Sequence, residues 1–254
     1  MSNKNIEQNP GLKNFFDSGF YEEYWPDSDS ETSVKELAKK VLSLLGAKSG
    51  RILDWRGGHG RYAIWFARAG LKVTLLDFIR PYLDKARERF KKNVLPIEII
   101  EADSRDTPKN IQADFAVCLN NSVGFMSEDD EINAFQSLYD ALRPGAKLLV
   151  DCMNLFFLAK PIAKEIQEPQ REDGYIRKSV GHFDFRTNIW HKTFELSKPD
   201  GSVVKKKFNQ IIYTPQHLSV ILEKAGFTIE HIYGDFNGAP VAFDSVKIVL
   251  LAKK

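Results

Sequence analysis

The stretch Arg51-Ile52-Leu53-Asp54-Trp55-Arg56-Gly57-Gly58-His59-Gly60-Arg61 constrains this chain more than any other. Ile52 to Trp55 reads as a short buried strand, the glycines as a turn, and the residues from about Arg61 as a helix. Such a step exposes bare backbone at the carboxyl end of a strand, where open α/β sheets bind nucleotide-like ligands. Asp54 stands at the strand end, before the glycines rather than after them.

The sequence on either side repeats the same alternation. Strand 51–55 leads to a helix over about 60–69, and strand Lys72 to Leu76 ends in Asp77. Pro81 opens a helix to about Lys92. Strands Ile97 to Ile100, Asp114 to Leu119 and Lys147 to Val150 follow, with a Ser127-capped helix stopping at Pro144-Gly145 between the last two. Short apolar strands alternating with amphipathic helices specify a parallel sheet covered on both faces. Upstream, Ser33 and Glu36 have capping-box spacing at the start of another helix. After residue 166 the pattern changes to three β-type runs, Tyr175 to Arg186, Ile189 to Leu196 and Val203 to Tyr213, joined by turn chemistry. They read as an antiparallel insertion. Thr214-Pro215 then starts a helix, and strands Phe227 to Tyr233 and Val246 to Leu251 close the chain.

The expected organisation is therefore an aromatic lid or strap over 1–32, an α/β core over 33–165, the insertion over 166–213, and a C-terminal helix with the last two core strands over 214–254. Residues 15–25 of the first segment hold six aromatics without a clean period, so they must cover something apolar. At 254 residues with 43% hydrophobic content, the chain can bury a sizeable core. A net charge of +2, with short scattered basic runs, gives no reason to expect a nucleic-acid partner. Neither an apolar leader nor a spanning segment is evident, so the expectation is a cytoplasmic protein without membrane contact. Cys118 and Cys152 lie in apolar runs and read as buried free thiols, and no His/Cys/Asp spacing suggests a metal.

Three carboxylates carry the site chemistry. Gly58-His59-Gly60-Arg61-Tyr62-Ala63 satisfies a dinucleotide pattern, but Asp54 in the same turn would repel a pyrophosphate. S-adenosylmethionine has no phosphate, and a carboxylate can hold the ammonium of its methionine end. Asp77 can accept ribose hydroxyls, a role that does not separate the two cofactors. Asp103, with Ser104 or Arg105 lending backbone donors, can accept from an adenine amino group. Asn120-Asn121-Ser122 follows the fourth strand, where the reacting group should lie.

As a set, Ile52-Leu53-Asp54 to Gly60, Asp77, Ala102-Asp103 and Leu142-Arg143-Pro144-Gly145 resemble the signature regions of class I S-adenosylmethionine-dependent methyltransferases. Asp151-Cys152-Met153-Asn154, the insertion, Tyr213-Thr214-Pro215, Ala225-Gly226-Phe227 and Tyr233 to Gly238 look like a small-molecule branch similar to glycine/sarcosine N-methyltransferases and sugar N,N-dimethyltransferases. The resemblance covers roughly residues 15–254. It implies a doubly wound, mostly parallel seven-stranded sheet, its last strand antiparallel, with S-adenosylmethionine as cofactor and S-adenosylhomocysteine as product. It further implies methyl transfer to a nitrogen or oxygen of a small molecule, and the expected state is a monomer or homodimer. The implied cofactor pocket comprises Tyr24, Asp54, Trp55, Arg56, Gly57, Gly58, Gly60, Asp77, Phe78, Asp103, Ser104, Arg105, Asn120 and Ser122. Candidate bases are His182, His191, Tyr21 and Tyr213. One position departs from the family pattern D-x-G-x-G-x-G, because Arg56 replaces the first glycine. Its side chain either points to solvent, meets a carboxylate of cofactor or substrate, or weakens binding of a positive sulfonium. The last possibility leaves open a non-catalytic binding or regulatory module that keeps the fold.

Overall fold

In a computed structural model of the chain, residues 15–16, 19–25, 30–158, 165–167 and 169–254 are described. Parts of the expected aromatic segment, residues 1–14, 17–18 and 26–29, lie outside them. The strands are β1 (Arg51–Trp55), β2 (Lys72–Asp77), β3 (Glu98–Glu101), β4 (Ala113–Cys118), β5 (Leu142–Met153), β6 (Glu165–Gln167), β7 (Ile176–Asp184), β8 (Ile189–Ser197), β9 (Val203–Ile211), β10 (Thr228–Tyr233) and β11 (Lys247–Lys253). The helices are α1 (Phe20–Tyr24), α2 (Glu31–Leu45), α3 (Ala63–Arg68), α4 (Arg80–Asn93), α5 (Glu128–Ala141), α6 (Leu155–Leu158) and α7 (Pro215–Lys224).

A seven-stranded sheet takes the order β10-β11-β5-β4-β1-β2-β3. The β1 to β5 pairings are parallel, and β11 runs antiparallel to both β5 and β10. Alternation within each apolar strand divides the core between the two faces. Leu53, Ala116, Leu148, Val150 and Leu250 pack with α5 and α7. Ile52, Val117, Leu149, Val249 and Leu251 pack with α2, α3 and α4. Cys118 and Cys152 are buried free thiols. No helix of the described residues is long and apolar enough to cross a membrane.

The chain moves outward from β1 through β2 to β3, then returns to place β4 on the other side of β1. That reversal leaves a crevice between the loops following β1 and β4. Helix caps fix the elements beside it. Ser127 Oγ accepts from the Asp130 N–H at 3.2 Å, and Thr214 Oγ1 accepts from the His217 N–H at 3.1 Å.

Two boundaries differ from the sequence expectation. Helix α2 begins a turn early, at Glu31 behind Ser30, which leaves Ser33 inside the helix. Nothing from Ser30 to Ser33 opposes helix, and an acid at Glu31 suits a helix N-terminus. Strand β5 starts at Leu142, ahead of Pro144-Gly145, and the register against β4 slips between Ala113 and Phe115 to accommodate them.

The insertion forms a second sheet of order β6-β7-β8-β9, antiparallel throughout. Its inward side packs Phe194, Leu196 and Phe208 against Phe15, Phe20 and Tyr24 of the N-terminal segment. Polar clamps hold that segment down. Arg171 Nη1 donates to Glu23 O at 2.6 Å, Arg177 Nη1 donates to Tyr24 O at 3.0 Å, and Lys198 pairs with Glu23 at 2.9 Å.

Candidate functional site

The crevice at the β1/β4 reversal is a cleft lined by the glycine loop, the ends of β2 and β4, the start of α4 and part of the aromatic segment. Asp54 points into it from the end of β1. The residue is 1% exposed, and neither carboxylate oxygen has a hydrogen-bond partner among the described residues. Burial first, then the charge of Asp77, pushes its pKa up to about 7 against the opposing pull of Arg61 and the Ala63 backbone. A buried carboxylate without partners is costly, and a cation entering the cleft would offset that cost.

The glycine turn is shaped around this side chain. A Cβ on Gly57 would lie 2.6 Å from Asp54 Cγ and would also strike Leu75, so only glycine fits. Gly60, at φ 70°, would drive a Cβ into Phe90. Asp77 at the end of β2 accepts from the Gly58 N–H at 2.8 Å and from the Ile79 N–H at 2.9 Å. Burial pushes its carboxyl up, while the Ile79 and Gly58 N–H groups favour its charged form. One oxygen therefore holds the glycine loop and the other holds the start of α4, and each keeps a further acceptor site.

Arg56 adopts φ 58°, a left-handed conformation costly for a non-glycine residue. Its side chain is 12% exposed, so it does not point to solvent. Nη1 pairs with Glu131 Oε1 of α5 at 2.5 Å and donates to Ser122 O at 2.9 Å, while the guanidinium lies 4.1 Å over the Trp55 ring. The carboxylate it meets thus belongs to its own chain, and its charge is neutralised beside the cleft. Glu131 is fully buried. Among four consecutive acids at the start of α5, it alone shares the spacing of Phe135 and Leu138, one and two turns on. That helical period is the signal by which the sequence could have marked it as a buried carboxylate needing a partner.

The loop after β4 supplies the opposite wall. Asn120 and Asn121 sit at φ 62° and 59°, a conformation asparagine tolerates. The Asn120 N–H donates to Asp151 Oδ1 at 2.6 Å, and Lys247 holds the other Asp151 oxygen at 2.6 Å. The side chains of Asn120 and Tyr62 meet at 3.1 Å.

Of the residues expected in the site, the cleft brings together Tyr21, Asp54, Arg56, Gly57, Gly58, Asp77, Phe78, Ser104, Asn120 and Ser122. Phe16 from the aromatic segment and His59, Arg61 and Tyr62 from the glycine pattern also line it, as do Tyr82, Phe125 and Met126, which no motif marks. Other expected residues are not among those lining it. Gly60 packs under the loop, Tyr24 lies in the aromatic cluster, and Trp55 donates to Thr107 Oγ1 at 2.9 Å. Asp103 accepts from the Arg105 backbone and guanidinium at 2.9–3.1 Å; burial opposes its charge, but Arg105 holds its carboxyl below the usual range. His182 and His191 are exposed cross-strand neighbours on the outer face of the insertion sheet. Tyr213 is buried, and its hydroxyl has no hydrogen-bond partner among the described residues. Nor do those residues contain a His/Cys/Asp/Glu group able to hold a metal.

Comparison with known proteins agrees with this geometry. Residues 52–145, from β1 to the Pro-Gly turn, match a family model described as a methyltransferase domain. YqeM of Bacillus subtilis, a protein named as a methyltransferase, is 25% identical over 82% of this chain and 85% of its own. A Clostridium acetobutylicum S-adenosylmethionine-dependent methyltransferase superimposes with a TM-score of 0.79 at 13% identity, over 93% of this chain and 96% of that one. CalS10, an amino pentose methyltransferase from Micromonospora echinaspora determined with S-adenosylmethionine bound, gives 0.68 at 17% identity over 88% and 90%. Residues 52–145 thus match a methyltransferase-domain model, and the chain has the seven-stranded fold seen in S-adenosylmethionine-dependent methyltransferases.

Proposed function

We infer that this chain is an S-adenosylmethionine-dependent methyltransferase acting on a nitrogen or oxygen of a small molecule. The observation that carries the reading is the Asp54 carboxylate at the switch point, buried, lining the cleft and without a hydrogen-bond partner among the described residues. S-adenosylmethionine fits this requirement because its methionine end carries an ammonium and its sulfur a positive charge. When bound, it supplies an activated methyl to a nucleophile approaching in line.

The chain's own residues contribute alignment and exclusion of water. Asp54 would hold the cationic end of the bound cofactor, and Asp77 would offer its remaining acceptor sites to hydroxyl donors. Phe78, Ile79 and Met126 give the cleft apolar walls, while Phe16 and Tyr21 cover it from the N-terminal segment. Holding two reactants in line can lower a barrier by roughly 7–11 kcal/mol, so no dedicated base is required. A small acceptor is supported by the aromatic segment that lines the cleft and is backed by the insertion sheet, and by the shared fold with CalS10. The pairing of Arg56 with Glu131 removes the reason for a non-catalytic module, since its charge is balanced within the chain.

Calorimetry with S-adenosylmethionine and S-adenosylhomocysteine tests the cofactor. Transfer of labelled methyl to a metabolite extract tests the acceptor class. Absence of binding by both nucleosides at millimolar concentration would overturn the reading.

A further inference from the structure

The inward face of the insertion sheet carries a charge pattern that the proposed reaction leaves unused. Along β8 the inward positions are Trp190, Lys192, Phe194 and Leu196, with Phe208 opposite Lys192 and Gln210 opposite Trp190 on β9. Arg177 on β7 and Lys206 on β9 share this face by register, whereas His182, His191, Glu195, Lys205 and Lys207 belong to the other. Among the described residues, the inward face thus bears three cations and no carboxylate.

Of these three cations, Lys192 is linked to the cleft wall through Gln210. Its Nζ lies 3.8 Å from the Trp190 ring centroid and 5.1 Å from that of Phe208. It donates to Gln210 Oε1 at 3.0 Å, and no carboxylate of the described residues pairs with it. Gln210 in turn binds the wall of the cleft. Its Oε1 accepts from Asn121 Nδ2 at 3.1 Å, and its Nε2 donates to Asn121 O at 3.1 Å and Val123 O at 2.9 Å. Asn120 and Ser122, on either side of Asn121, line the cleft. So does Phe125, whose ring lies 5.8 Å from that of Phe208. As a whole residue Lys192 is partly buried.

An ammonium among aromatic rings, with a neutral amide as its sole oxygen partner among the described residues, has no counter-charge from them. It can resolve that by losing its proton or by meeting an anion. Burial pushes the Lys192 amine down to about 7, with no nearby charge contributing. A carboxylate arriving at Nζ would form a charge-assisted hydrogen bond and draw the proton back. The Trp190 and Phe208 rings beside Nζ offer apolar contact to the body behind that carboxylate.

We propose that Lys192 is the acceptor-recognition residue for a carboxylate, so that the methyl acceptor is a small carboxylic acid with an apolar or aromatic body. This rests on the methyltransferase reading, because it places the carboxylate beside the cleft assigned to methyl transfer.

The test uses the full chain, with phenylacetate and its neutral counterpart phenylacetamide as probes. Calorimetry at pH 8, in two buffers of different ionisation enthalpy, reads both affinity and proton uptake. The expected result is binding of phenylacetate in preference to the amide, with uptake approaching about 0.9 proton, the neutral fraction at pH 8 of an amine with pKa about 7. K192M should weaken phenylacetate about tenfold or more and abolish the uptake. K192R should keep the binding but take up no proton, because a guanidinium is always charged. A merely structural lysine would not move the proton count. Equal binding of acid and amide, unchanged behaviour in K192M, or no phenylacetate binding each overturns the proposal. Titration of S-adenosylhomocysteine in the same buffers keeps the two readings apart. Its failure to bind would sink the methyltransferase reading, while the probe titrations run without it judge Lys192 alone.

Discussion

Replacing Asp54 by asparagine should make the protein more stable and a worse binder of its cofactor. Asp54 rises from a reference of 3.8 to about 7 on folding. The folded state therefore holds this proton more tightly than the unfolded chain does. Between pH 4 and 7 the unfolded state gives up its proton first, so stability falls with rising pH, and the full penalty applies above pH 7. At 1.36 kcal/mol per unit, the shift corresponds to about 4 kcal/mol, an upper figure that local relaxation reduces to roughly 2–4 kcal/mol. Asparagine has nearly the same shape but does not ionise. At pH 8 Asp54→Asn should raise the melting temperature by roughly 5–15 °C for a chain of this size, and near pH 4 the two proteins should melt together. Affinity for S-adenosylhomocysteine, which keeps the ammonium, should fall about 10- to 100-fold through loss of a charged hydrogen bond. Thermal unfolding across pH 4–8 with and without the nucleoside measures both quantities. A variant no more stable than the parent at pH 8, or a gap independent of pH, would refute the claim that Asp54 is an uncompensated buried carboxylate.

The parent's affinity for S-adenosylhomocysteine should weaken by up to about tenfold per pH unit below 7, because binding must remove the Asp54 proton; a flat profile from pH 5 to 8 would contradict this. Arg56→Ala strands the buried Glu131 charge and should cost about 3–5 kcal/mol, with Glu131→Gln recovering most of that loss in the double variant; additive effects in urea unfolding would disprove the coupling. Asp77→Ala releases the Gly58 and Ile79 N–H groups together, so it should lower stability by about 1–3 kcal/mol and cofactor affinity as well. Nucleoside titration showing normal affinity would remove its binding role. Deleting residues 1–26 uncovers Phe194 and Phe208 and should weaken cofactor retention and increase dye binding to apolar surface; normal turnover would reduce the aromatic segment to a structural strap.

What the sequence made legible follows from which interactions are periodic or local. Strand and helix order could be read because each apolar run alternates with an amphipathic one, and the Asp54-to-Gly60 step is contiguous in the chain. Asp77 was legible as a strand-end carboxylate, although its work in holding both Gly58 and Ile79 depends on β1 and β2 lying side by side. Glu131, Met126 and Phe125 reach the cleft region from α5 and the loop before it, far from any glycine motif, and a linear pattern carries no record of that approach. The histidines show the converse. Chemical type made His182 and His191 candidates, but the parity of an antiparallel strand decides which side a residue faces. One step along β8 exchanges His191 on the outer face for Lys192 on the inner one.

Arg56 shows how a departure from a family pattern can be absorbed rather than lost. A side chain at the first glycine position must accept φ 58°, bring a cation beside a site suited to a cation, and find a place for the guanidinium. Glu131 answers the last two requirements together, because a buried carboxylate at 2.5 Å cancels the charge and fixes the group over Trp55. The remaining cost is the backbone strain, about 1–2 kcal/mol for a non-glycine residue in that region. That cost supports the link Arg56 makes between the glycine loop, α5 and the Ser122 carbonyl, which ties together the two loops flanking the switch point. Arg56→Gly paired with Glu131→Leu should therefore relieve the strain and keep the protein folded, yet loosen the loops and raise the Kd for S-adenosylhomocysteine. If that double variant is both more stable and equally tight in binding, the ion pair is a packing solution with no part in shaping the cleft.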